Sequence, residues 1–181
     1  REQLKRLQHA ITDHETHIFE ALQKDLGKPQ FEAYGGEVFY ALQELYYAIK
    51  HLNSWTRPRK VRTPLLFFPG SSYRYPEPYG SVLIISPGNY PFQLTLLPLI
   101  GAMAAGNCAV IKPSELAPHS STLLADILNT NFDPSYLAVI EGEIEETQAL
   151  FAQHFDYIFF TGGARVGKIV MEAAARHVTP L

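Results

Sequence analysis

Apolar positions follow two regimes along the chain, with a break near residue 80. Through the first fifty-odd residues they recur at helical spacing. Leu4, Leu7, Ile11, Ile18 and Leu22 line one face, and Gly27 with Pro29 supplies a stop. Phe31, Tyr34, Val38, Leu42, Leu45, Ile49 and Leu52 mark a second amphipathic helix after an awkward Gly35-Gly36 pair. The pattern predicts a hairpin of two helices over residues 1–55. From 56 to 80 it breaks into prolines, glycines, aromatics and arginines, a connecting segment. "SSYRYPEPYG" alternates weakly there and has room for an edge strand, with Pro76 and Pro78 limiting its pairing.

After Gly80 short β-branched or aromatic runs appear: Ser81–Ser86, Cys108–Lys112, Tyr136–Ile140 and Asp156–Thr161. They begin roughly 20 to 28 residues apart, and each interval has helical character. The runs are apolar on both faces, as strands of a parallel sheet covered by helices must be. Such alternation means βαβ units with right-handed crossovers. The fold class is therefore α/β: a doubly wound, Rossmann-like parallel sheet over residues 81–181, preceded by the helical hairpin.

Composition narrows the function classes. A formal net charge of −3 makes no electrostatic case for nucleic acid or an anionic membrane. The longest apolar stretch, 92–105, is interrupted by Gln93, Thr95, Pro98 and Gly101, too soon to span a bilayer. The first residues are charged throughout, unlike a secretory leader. One cysteine, Cys108, allows no internal disulfide and fits the cytoplasm. Seven scattered histidines offer no ligand spacing for a metal.

In an open parallel sheet, ligands bind beyond the carboxyl ends of the strands. The residues following the four runs read "SPGNYPF", "KPSELAP", "EGEIEE" and "TGGARVG". All four are polar or glycine-rich, and they converge on one edge. In the second, Lys112 and Glu115 flank Pro113 and Ser114; a carboxylate there can accept from a ribose diol while the ammonium donates. A surface lysine with a glutamate near a helix start would read the same way. Gly162 and Gly163, between Thr161 and the Val166–Gly167 pair, leave a helix N-terminus open to a phosphate. No G-x-G-x-x-G occurs, and a turn needing glycine only for tight packing would look alike. Gly142 belongs to the third loop. Asn89 precedes Tyr90-Pro91 where a helix starts, so its amide could serve an oxyanion or simply a turn. Cys108 lies at the far end of a strand expected to be buried, which makes it structural.

At these loops the sequence resembles the aldehyde dehydrogenase superfamily. The block "ISPGNYPFQLTLLPLIGAMAAGNCAVIKPSELAP" is similar to the family's signature from the first strand through the second. The segment "FFTGGARVGKIVMEAAARHVTPL" is similar to the stretch leading to its general-base glutamate motif. The resemblance covers essentially the whole chain and points to the shorter members, which oxidise aliphatic or aromatic aldehydes. It implies NAD, or NADP, bound in a Rossmann-like site. Lys112 and Glu115 match the positions holding the adenine-side ribose, Gly162 and Gly163 the turn near the pyrophosphate, and Val166 a position against the adenine. Ile85, Ser86, Pro87 and Gly88 match the cleft wall, with Ser114, Gly142, Thr161 and Gly167 in the same loops. Asn89 matches the oxyanion-hole asparagine. Gly88 stands where many members carry a large aromatic, and Gly163 where a serine or asparagine often meets phosphate.

The resemblance further implies oxidation of an aldehyde to a carboxylic acid through a cysteine thioester. The nucleophilic cysteine and the general-base glutamate are expected beyond Leu181. The 181 residues then form the N-terminal, cofactor-binding portion of a longer enzyme, its sheet incomplete at the C-terminal end. The complete protein is expected to be a homodimer or homotetramer acting on a small-molecule aldehyde. A non-catalytic nucleotide-binding module and a CoA-acylating or phosphorylated-aldehyde relative stand as alternatives.

Overall fold

His14 divides what the apolar spacing joins. In the computed structural model, which describes Arg1–Leu181, the first helical stretch is two helices, α1 (Glu2–Asp13) and α2 (Glu15–Leu26). His14 leaves helical geometry at φ −108° and ψ 11°. Buried Ile11 and Ile18 are two turns apart, a spacing that one straight helix and a bent pair satisfy alike. Gly27 ends α2 in the left-handed conformation at φ 66°, as a helix-terminating glycine does. The second stretch is α3 (Gln30–Ala33), a wider π-helical turn at Tyr34–Val38, and α4 (Phe39–Thr56). The expected two-helix hairpin is thus corrected to three rods, with the Gly35-Gly36 pair inside the π turn.

The connecting segment holds a small antiparallel pair, β1 (Arg59–Val61) with β2 (Ser72–Arg74), Lys60 opposite Tyr73. The strand foreseen in "SSYRYPEPYG" therefore has a partner. That partner, "RKV", is exposed at every position and so carries no alternation to find.

The four later runs form β3 (Ser81–Ile85), β4 (Cys108–Lys112), β5 (Leu137–Val139) and β6 (Tyr157–Phe160). All neighbours pair in parallel in the order β5-β4-β3-β6. Between and after them run α5 (Gln93–Ala105), α6 (Pro118–Asn131), α7 (Ile144–Phe151) and α8 (Ala164–His177). The chain winds outward from β3 to β5, then returns to β6 on the other side of β3. That reversal places a switch point between β3 and β6.

Alternate residues of β3 serve two cores. Val82 and Ile84 join a large cluster with Leu99, Ile111 and Leu128 from the sheet and helices, and Leu4, Leu7, Leu22 and Leu45 from the N-terminal rods. Leu83 and Ile85 face a smaller one built from Phe151, Phe155, Ile158, Val170, Ala173 and Ala174. Cys108 is a correction. It begins β4 opposite Ser81, but its side chain is exposed at the rim of the sheet rather than buried.

Candidate functional site

Beyond the carboxyl ends of β3, β4 and β6 lies a cleft of about 420 Å³. Ile85, Ser86, Pro87, Gly88, Lys112, Ser114, Glu115, Thr161, Gly162, Gly163 and Val166 line it, so most of the predicted site residues come together. Three do not reach its lining. Gly142, at φ 139°, sits so close to Glu146 that a side chain would collide with it. Gly167 would place a Cβ 3.3 Å from the Phe160 ring, and thus lets α8 pack on β6. Asn89 is exposed to one side of the cleft.

The β4 wall is fixed by its own turn. Ser114 Oγ accepts from Leu116 N at 3.2 Å, and Ser114 O accepts from Ser121 Oγ at 2.7 Å. Lys112 is buried, only 2% exposed, which rules out the surface-lysine alternative. Its Nζ donates to Pro113 O at 2.7 Å and to Glu115 Oε2 at 3.4 Å, while about half of the Glu115 side chain stays open. An ammonium has three donors, so one remains for a ligand.

The opposite wall is the start of α8. No side chain caps it, and its first backbone acceptor, Gly163 O, is taken by Gly167 N. The amides ahead of Gly167 lie where an anion would be stabilised. A Cβ on Gly163 would meet nothing within 4 Å, which leaves open space at that amide. On the β3 side, a Cβ on Gly88 would lie 3.1 Å from Ser114 Oγ and 3.2 Å from Leu116 Cβ, so the close approach there suits glycine.

The start of α7 also lines the cleft: Glu143 and Ile144 fall in the third loop, and Thr147 and Gln148, further along the helix, were missed by sequence reasoning. A signal was present: in "EGEIEE" Glu143 and Glu146 are spaced as a reciprocal helix cap, and Glu143 N donates to Glu146 Oε2 at 2.8 Å. The backbone N–H of Glu146 itself, then that of Glu143, holds the Glu146 carboxyl below its usual range.

The loop carrying Asn89 is anchored from outside the sheet. Lys28 Nζ donates to Asn89 O at 2.9 Å and to Glu37 Oε1 at 2.7 Å. Glu37 Oε2 accepts from Phe92 N at 2.9 Å and Gln93 N at 3.0 Å. Burial pushes the Glu37 carboxyl up, with the Lys28 ammonium and these amides opposing the shift.

The family model described as the aldehyde dehydrogenase family matches residues 1–181. The chain belongs to the aldehyde dehydrogenase family. It is similar to the 4,4'-diaponeurosporen-aldehyde dehydrogenase of Staphylococcus aureus, 52% identical over all 181 residues and 39% of that protein. Aldehyde dehydrogenase family 3 member H1 of Arabidopsis thaliana is 47% identical over 99% of this chain and 37% of its own length. The solved substrate-bound state of Staphylococcus aureus AldH superimposes with a TM-score of 0.97 at 53% identity, over 99% of this chain and 39% of that one. The chain thus spans about two fifths of the relatives it matches. The expected α/β, Rossmann-like fold is that of these aldehyde dehydrogenases, whose family uses NAD or NADP. No helix is long and apolar enough to cross a membrane.

Proposed function

We propose that this chain supplies the cofactor-binding cleft of an NAD-dependent aldehyde dehydrogenase that converts an aliphatic or aromatic aldehyde to its carboxylic acid through a cysteine thioester. The observation that carries the reading is the pairing of opposite walls. Lys112 and Glu115 stand at the end of β4, facing an uncapped helix start with open space at Gly163. The donor set fits a dinucleotide: one spare ammonium donor and a half-open carboxylate for a ribose diol, and free amides for a pyrophosphate. The chemistry such a bound group supplies is acceptance of a hydride from the substrate carbon.

This chain's residues bind and orient. The Glu115 carboxylate accepts from the ribose 2′-hydroxyl and disfavours a phosphate in its place, so NAD is preferred over NADP. The buried Lys112 ammonium holds the neighbouring hydroxyl, while Val166 offers an apolar surface to the base. The Asn89 amide donates to the oxyanion that forms as the aldehyde carbon becomes tetrahedral. The Staphylococcus aureus relative is named for 4,4'-diaponeurosporen-aldehyde, which supports an aldehyde of that kind as one member of the substrate class. A dimer or tetramer belongs to the same reading. Leu65, Leu66 and Phe68, at the tip between β1 and β2, are at least 81% exposed, and assembly would cover them.

The test is cofactor kinetics in the full-length protein. Glu115→Gln raises the KM for NAD and narrows the gap between NAD and NADP, and Lys112→Ala weakens binding of both. An unaltered preference in Glu115→Gln removes the ribose assignment.

A further inference from the structure

Asn89 sits between β3 and α5, and the bonds that orient its backbone come from the N-terminal helices. Lys28, just after α2, reaches across to Asn89 O and lies 3.8 Å from the centroid of the Tyr90 ring. Glu37, delivered inward by the π-helical turn, caps α5 through the Phe92 and Gln93 amides. Glu37 is fully buried and Lys28 is 8% exposed. Burying two charges carries a desolvation cost that a well-packed apolar pair would avoid. What an apolar pair cannot do is bond Asn89, Phe92 and Gln93 at fixed distances. π turns inside helices are also frequent at functional sites.

We propose that Lys28 and Glu37 are positioning residues for catalysis: their buried pair fixes the 89–93 segment so that the Asn89 amide points at the oxyanion. The proposal rests on the reading of Asn89 as oxyanion donor. Neither side chain lines the cofactor cleft, so their removal acts on turnover and leaves cofactor affinity alone.

The experiment is a cycle in the full-length protein. Lys28→Met combined with Glu37→Gln removes both charges and leaves no unpaired ion inside. The paired variant lowers kcat about 10- to 100-fold, the effect of a small misplacement of a reacting group, with an unchanged KM for NAD. In an Asn89→Ala background the same pair of changes lowers kcat no further. An equal loss with and without Asn89, or a loss confined to the KM for NAD, overturns the positioning role while leaving Asn89 in place. If Asn89→Ala alone costs nothing, the oxyanion reading falls, and the positioning role with it. Should the paired variant not fold, Lys28→Arg, which keeps the charge but shifts the donor to Asn89 O, is read through the same cycle.

Discussion

An ammonium with almost no exposed surface must find its acceptors inside the protein, and Lys112 finds only Pro113 O and, at longer range, Glu115. That burial separates it from the surface lysine that the spacing of "KPSE" equally permits. Burial works the other way at Cys108. Its apolar strand suggested an interior thiol, but the first residue of β4 reaches the rim and is exposed there. The two side chains most easily mistaken for each other's role then diverge in their effects. Asn89→Ala in the full-length protein lowers kcat by about 10²–10³, the cost of one oxyanion donor. Cys108→Ala leaves kcat unchanged and shifts stability by no more than about 0.5 kcal/mol, as an exposed substitution does. Steady-state rates and thermal melts decide it; an essential Cys108 beside a dispensable Asn89 would reverse the site map.

Elements with an apolar period were legible and those without one were not. The four strands of the sheet appeared as β-branched runs, because both their faces are covered. β1 did not, because none of its residues is buried. The break at His14 was invisible because it keeps Ile11 and Ile18 on the same buried side. The cleft was legible from loop chemistry after each strand, but the contribution of α7 depends on how its start turns toward the sheet, which the composition of "EGEIEE" does not announce. Nothing in the pattern marked the tie between the amino ends of β3 and β6 either. Asp156 Oδ2 accepts from Ser81 N at 2.7 Å and Ser81 Oγ at 2.9 Å, and these bonds, the backbone one foremost, hold its carboxyl below the usual range. A depressed carboxylate contributes stability that is present above its unfolded value of about 3.9. That contribution is lost as pH falls through the lowered folded value. Melting temperatures of the parent and Asp156→Asn should therefore differ at neutral pH and converge in acid. A gap that does not narrow as the pH is lowered would show that the tie is not ionic.

Across residues 1–181 the two faces of the sheet are unequally supported, and the cleft is built against the weaker one. On one face α5 buries Thr95, Leu96, Leu99, Ile100, Ala102 and Met103 in a core shared with the N-terminal rods. On the other, α8 buries only Val170, Ala173 and Ala174. Alanines bury little apolar area, and at about 25 cal/mol per Å² the stabilisation per turn is correspondingly small. Ile169 and Met171 on the same helix are at least half exposed. Regions with few buried apolar contacts open at low free energy, and binding elements are drawn from them. Hydrogen exchange followed by mass spectrometry should accordingly find α8 exchanging before α5, α6 and the N-terminal rods. Saturating NAD should slow exchange most over residues 161–170, where the α8 amides meet the ligand. A bound ligand protects only the openings that expose its own site. Protection spread evenly over the chain, or α8 exchanging as slowly as α5, would contradict both the uneven core and the placement of the anion at the start of α8.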